Sequence, residues 1–187
     1  MRVIAGVAKG RRLKLVPGDG TRPIMDRVKE ALFNIIRDRI PDSSFLDLFA
    51  GTGSVGIEAL SRGAASARFV ENARLAAKTI EENLAITGLA SLAEIVRQDV
   101  FDYLKQADPP AFEIVYIAPP QYKTLWLDAL TLLDEHPEHI APDGIVVVQI
   151  DPTEKQEITL QHLAPYDERR YGNTLLWFFE LLDTPDA

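Results

Sequence analysis

The chain has 187 residues, enough for one domain and too few for a second substrate domain beside it. Hydrophobic residues make up 47% and charged residues 26%, a balance that excludes a disordered or fibrous chain, and zero cysteines exclude disulfide frameworks, thiolate zinc sites and thiol nucleophiles. The net charge of −8 argues against a nucleic-acid partner until its distribution is counted: residues 1–30 hold eight basic and three acidic side chains, a net of +5, which leaves −13 on the remainder.

Two short strands, 2–5 and 12–16, are expected to form a β-ribbon joined by residues 6–11. A loop over 17–23 follows, then a helix over 26–40 with Asp26 as its N-cap. From residue 45 short apolar strands alternate with helical patterns. Strands are expected over 45–50, 66–71, 93–97, 112–118 and 145–150, with helices from the turn at Gly51 to about Gly63, over 73–87 with Gly88 as its stop, over 100–106 and over 124–134. Pro137, Pro142, Asp143 and Gly144 mark the turn before the fifth of these strands. After an irregular stretch the last strand, 174–182, is expected antiparallel at the sheet edge, because no crossover helix follows it. This is the pattern of an α/β domain with a parallel sheet covered on both faces. A two-stranded ribbon is marginal alone, so residues 1–40 are read as an appendage docked on that one domain. No apolar run approaches the ~20 residues of a membrane span, and the basic first residues lack an apolar signal core, so a soluble cytoplasmic protein is expected.

The densest signal is Leu46-Asp47-Leu48-Phe49-Ala50-Gly51-Thr52-Gly53-Ser54-Val55-Gly56, a strand running into a glycine-rich turn that opens a helix. Gly51, Gly53 and Gly56 satisfy G-x-G-x-x-G, which by itself suggests NAD as readily as any other ligand. Asp47 shifts the balance, because a carboxylate at the end of the first strand repels a diphosphate and attracts the ammonium of a methionine moiety. Glu71 closes the second strand, where it can accept two hydrogen bonds from a ribose diol. Asp99 closes the third and either contacts an adenine amino group, with Val100 and Phe101 packing on the base, or only caps the helix behind it. The fourth strand ends in Ala118-Pro119-Pro120-Gln121-Tyr122, a rigid loop whose carbonyls stay available to an exocyclic amine while Tyr122 stacks on the base. His136, His139 and His162 are read as surface or loop residues, and no metal is expected.

With these motifs the chain resembles the bacterial 16S ribosomal RNA guanine-N2 methyltransferases that modify guanine-966. The likeness runs through Met1-Arg2-Val3-Ile4-Ala5-Gly6, Lys9-Gly10-Arg11-Arg12-Leu13, Thr21-Arg22-Pro23 and Asp26-Arg27-Val28-Lys29-Glu30-Ala31-Leu32-Phe33-Asn34. It continues through residues 45–53, Glu58-Ala59-Leu60-Ser61-Arg62-Gly63-Ala64 and Phe69-Val70-Glu71. The resemblance implies a Rossmann-like, seven-stranded methyltransferase sheet with a reversed last strand, S-adenosylmethionine as cofactor, and ribosomal RNA or the small ribosomal subunit as partner of a monomer. Carried over, Asp47, Phe49, Ala50, Gly51, Thr52, Gly53, Glu71, Asn72, Asp99 and Val100 would hold the cofactor, and Arg2, Lys9, Arg11, Arg12, Arg22 and Arg27 would meet RNA. The catalytic residues would be Ala118, Pro119, Pro120, Gln121 and Tyr122. The family loop reads Asp-Pro-Pro and then Tyr or Phe, whereas here the acidic position is Ala118 and the aromatic is displaced to Tyr122. The Ala118 or Pro119 carbonyl, or the Gln121 amide oxygen, would have to replace the missing acceptor. Two alternatives stand beside this reading. A cofactor- or RNA-binding homologue that does not methylate is favoured by Ala118, and an NAD-dependent oxidoreductase is favoured by the glycine spacing but opposed by Asp47 and the Pro-Pro loop.

Overall fold

The structure, a computed structural model, describes residues 1–18 and 23–182. Seven strands, β1 (Ser44–Leu48), β2 (Ser66–Val70), β3 (Ala93–Val96), β4 (Phe112–Ile117), β5 (Ile140–Ile150), β6 (Leu163–Tyr171) and β7 (Thr174–Leu181), form one sheet in the order β3-β2-β1-β4-β5-β7-β6. β1 to β5 are mutually parallel, and β7 runs antiparallel to both β5 and β6. The helices are α1 (Asp26–Ile35), α2 (Ser54–Ser61), α3 (Arg74–Thr87), α4 (Val100–Leu104) and α5 (Leu125–Glu135).

Period-two alternation divides the central strands between two cores. Phe45, Ile114, Tyr116, Ile145, Val147 and Phe178 pack with α1, α2, α3 and the N-terminal arm. Leu46, Leu48, Val115, Ile117, Val146 and Val148 pack with α4 and α5. Asp47 shares the face of Phe45, and Gln149 that of Val147, so both look toward α2. Strand order reverses between β1 and β4, and the crevice at their carboxyl ends is where a parallel α/β sheet receives ligands.

The N-terminal arm is fastened to α2 by a buried charge cluster. Glu58 is fully buried and accepts the backbone N–H of Ile4 (2.8 Å) and of Ala5 (3.0 Å), Arg62 Nε (2.8 Å), and the charge of Lys29 Nζ (3.3 Å). Lys29, also buried, donates to the Arg2 carbonyl at 2.7 Å. Gly6 takes φ +81 and lies so close to α2 that a Cβ would stand 1.7 Å from the Ser61 carbonyl oxygen, so no other residue fits. Val3, Ala8, Leu13, Val28, Leu32 and Phe33 complete the attachment by joining the first core.

Several expectations are corrected. β6 lay in the stretch read as irregular, and it takes the sheet edge, which moves β7 one place inward. Only Leu163 of its nine residues is buried, and its Pro165 and charged run are the composition of an edge strand, without an apolar alternation to read. The Pro142, Asp143 and Gly144 turn is an irregularity inside β5, with the register shifting opposite Phe112 and Ile114. The N-terminal ribbon is a single antiparallel bridge, Arg2 to Arg12. Helix 26–40 stops at Ile35 and resumes as a 3-10 turn over Arg37–Arg39. Met25 holds the N-cap position without a side-chain bond, while Asp26, inside the first turn, pairs with Arg2 at 3.3 Å. His139 is buried rather than superficial: Nε2 faces the Leu104 carbonyl at 3.0 Å, and desolvation pushes its pKa down.

Candidate functional site

β1 hands over to α2 through a turn that is left-handed at Phe49 (φ +61), Gly51 (φ +57) and Gly53 (φ +75), a conformation that favours glycine. The third glycine has a packing role: a Cβ on Gly56 would stand 2.4 Å from the Phe69 ring. Its N–H donates to Asp47 Oδ2 at 3.0 Å. Asp47 is 2% exposed and meets no cation among the described residues. Burial, reinforced by the charge of Glu71, pushes its pKa up to about 8 against the pull of the Gly56 N–H.

Glu71 spans the crevice edge, with Oε2 accepting the Gly51 N–H and Oε1 the Ala73 N–H, both at 2.9 Å. Asn72 beside it is exposed. Asp99 does cap α4, its Oδ1 accepting the N–H of Phe101 (2.8 Å) and Asp102 (3.3 Å); Oδ2 has no partner among the described residues. Val100 is buried, and the Phe101 ring meets Phe49 edge-on at 6.2 Å.

A cleft of about 170 Å³ opens at this edge. Its walls are the glycine turn with Asp47, Phe49, Ala50 and Thr52, the arm residues Leu15, Val16, Pro23 and Ile24, and Tyr116, Ala118 and Gln149 from β4 and β5. Three of its supports were missed from sequence. Asn83 of α3 ties arm to turn, donating to the Thr52 carbonyl (2.9 Å) and bonding both the N–H (2.7 Å) and the carbonyl (3.1 Å) of Lys14. Tyr116 donates its hydroxyl to Gln149 Oε1 at 2.6 Å. Gln149 carried a legible signal, being the single polar interruption of the apolar run 145–150.

Of the catalytic candidates, Ala118 lines the cleft and Pro119 is buried, whereas Pro120, Gln121 and Tyr122 are exposed. Tyr122 sits at φ +62, its N–H donating to Glu154 Oε1 (2.8 Å) and its hydroxyl to Asp151 Oδ2 (2.9 Å). Of the basic candidates, Lys9, Arg11, Arg12 and Arg27 are exposed and form no ion pair with a described residue. Arg22 lies outside the described residues. The turn over 6–11 packs at the Ser61 end of α2, while Leu15 and Val16 reach the cleft at its Ser54 end.

A family described as Conserved hypothetical protein 95 matches residues 1–180. The chain belongs to this family. Its relatives include ribosomal RNA small subunit methyltransferase D of Haemophilus influenzae, 37% identical over 92% of the chain and 89% of that protein. The protein of the same name from Escherichia coli strain K12 is 36% identical over 80% of the chain and 74% of its own length. The solved structure of yhhF from Escherichia coli superposes with a TM-score of 0.86 at 29% identity, covering 98% of this chain and 99% of that one. The resemblance carried by residues 1–71 is to this same family, and the sheet is the Rossmann-like methyltransferase sheet, with β7 reversed. No helix among the described residues is long and apolar enough to cross a membrane.

Proposed function

We propose that the chain is an S-adenosylmethionine-dependent methyltransferase that acts on the exocyclic N2 of a guanine in small-subunit ribosomal RNA. The observation that carries this reading is Asp47: a buried carboxyl facing a cleft, without a cation of its own, fits a ligand that brings a positive charge. A diphosphate fits it poorly, which places the NAD reading behind.

Held at the carboxyl edge of the sheet, S-adenosylmethionine would supply a methyl group made electrophilic by its sulfonium. Asp47 in the cleft would receive the ammonium of its methionine end, Gly51, Thr52 and Gly53 would let the backbone approach closely, Glu71 beyond the cleft wall would take the ribose diol, and Asp99 with Val100 would meet the adenine. In-line transfer would form the N2–methyl bond from the amine's own electron pair as the sulfur–methyl bond breaks, with S-adenosylhomocysteine leaving and the N2 proton passing to solvent; no protein nucleophile would be needed, so this chain's residues would serve to orient both partners and exclude competing water. Ala118, Pro119 and Pro120 bound the place where a flipped base meets the methyl. Residues 1–40 form the RNA-contacting extension of a single catalytic domain, with Arg2, Lys9, Arg11, Arg12, Arg22 and Arg27 supplying the positive charge that meets phosphates.

Incubation with methyl-labelled S-adenosylmethionine and small subunits from cells lacking the protein tests the reading. Label is expected in N2-methylguanosine; specific binding of subunits without label would favour the non-methylating homologue that Ala118 suggests. Glu71→Ala is expected to weaken cofactor binding by about 1–3 kcal/mol, read by titration calorimetry, since the ribose hydroxyls lose their acceptor. Replacing Arg11 and Arg12 by Gln together is expected to weaken RNA binding and lower the slope of log affinity against log salt by up to about 2. An unchanged slope would assign the two arginines to folding or solubility.

A further inference from the structure

Gln149 stands one residue beyond the last β4–β5 pair, Ile117 opposite Val148, which sets it beside Ala118 at the cleft wall. It shares that wall with Asp47 and Tyr116 because alternate residues of three neighbouring strands face α2. Tyr116 is 2% exposed, its ring is packed 6.5 Å from that of Phe45, and its hydroxyl meets Gln149 Oε1 at 2.6 Å, so the amide is held from below by a side chain with no room to move. One lone pair of Oε1 is thereby used. The second lone pair and both Nε2 hydrogens have no partner among the described residues. Half-buried amide groups at an otherwise apolar strand end are costly unless something pairs with them. The neighbouring loop cannot take over that task, because Ala118 has no polar side chain, Pro119 and Pro120 have no N–H, and Gln121 is exposed.

We infer that the Gln149 amide, oriented by the Tyr116 hydroxyl, reads the Watson–Crick edge of the target guanine; the inference rests on the methyltransferase reading and assigns its base-recognition group. An amide offers an acceptor beside a donor. Oε1 accepts N1–H and Nε2 donates to O6, which leaves the exocyclic N2 free to face the methyl donor. Adenine presents the opposite order, an acceptor at N1 and a donor at N6, and an amide pinned through Oε1 does not turn over to match it. Gln149 is thus a catalytic residue that touches the base, and Tyr116 a positioning residue that acts through it.

The test measures methylation of small subunits from cells lacking the protein, with S-adenosylhomocysteine titrated calorimetrically in parallel. Gln149→Leu is expected to lower kcat roughly 10- to 100-fold, the loss of a paired base contact, while the S-adenosylhomocysteine Kd stays within about twofold. Tyr116→Phe is expected to lower kcat less, about 3- to 10-fold, and the double variant to be no slower than Gln149→Leu alone, because the hydroxyl works only through the amide. A wild-type kcat in Gln149→Leu, an equal loss of S-adenosylhomocysteine binding, or additive effects in the double variant would each overturn the inference. Should Gln149→Leu fail to fold, Tyr116→Phe decides alone, and an unchanged kcat there overturns it. A silent wild-type protein would instead overturn the methyltransferase reading itself.

Discussion

Asp47→Asn is expected to cost about 2–5 kcal/mol of S-adenosylmethionine affinity and yet to make the free protein more resistant to denaturation near neutral pH. The two effects share one cause. In the folded chain the Asp47 pKa is pushed up to about 8, chiefly by burial, against an ordinary 3.8. Between these values the folded state keeps a proton that the unfolded chain gives up, so the group makes stability fall as pH rises across that window. Asparagine removes this liability and can still accept the Gly56 N–H. It cannot supply the negative charge that a bound ammonium needs. In the wild-type protein the proton must leave before that pair forms, so affinity is expected to rise with pH between 6 and 8, by up to about tenfold per unit. Calorimetry in two buffers of different ionisation enthalpy should register release of nearly one proton on binding at pH 6.5. The asparagine variant should release none; equal affinity and equal proton release in both proteins would remove Asp47 from the cofactor site.

Glu58→Ala is expected to lower unfolding free energy by about 3–5 kcal/mol, read from denaturant titration, the cost of breaking a buried pair by deleting one partner. It would leave Lys29 buried with the Arg2 carbonyl as its remaining hydrogen-bond partner among the described residues, and would strip the acceptor from the N–H groups of Ile4 and Ala5. Against a total stability of about 5–15 kcal/mol the loss is large. Hydrogen exchange at Ile4 and Ala5 is expected to accelerate more than at Val146 or Val147, whose strand pairs do not involve Glu58. Uniform acceleration everywhere would mean that arm and sheet unfold as one unit.

The central strands were readable because they are buried on both faces, and such burial demands continuous runs such as 45–50 and 145–150. β6 was not, because one exposed edge strand needs a single apolar anchor, Leu163, and tolerates charge elsewhere. Boundaries failed where tertiary contacts overrode local grammar, as at Asp26, whose carboxylate serves Arg2 instead of a cap. Within the site, the glycines announce themselves through a turn whose positive φ few residues adopt, and Asp47 and Glu71 through a carboxylate at the end of a strand. Tyr116 and Asn83 do not, since their partners, Gln149 and Lys14, are brought near only by sheet pairing and by the docking of the arm. Asp99 left two roles open; the structure supplies the cap and leaves Oδ2 available to the other.

The fastening of the arm to distant helices has a consequence during synthesis. Lys14 cannot meet Asn83 until 69 further residues have been translated, and Ile4 must await Glu58, 54 residues on. At about 5–20 residues per second the first delay is on the order of 3–14 s. During that interval Val3 and Leu13, later buried, travel beside Lys9, Arg11 and Arg12 on an unanchored nascent segment that still lacks the core and the buried Glu58 it folds against. Translation pace between residues 20 and 90 is therefore a handle on folding yield: slowing it lengthens the exposure of a sticky, cationic leader, and the effect should be strongest where ribosomes and their RNA are most concentrated.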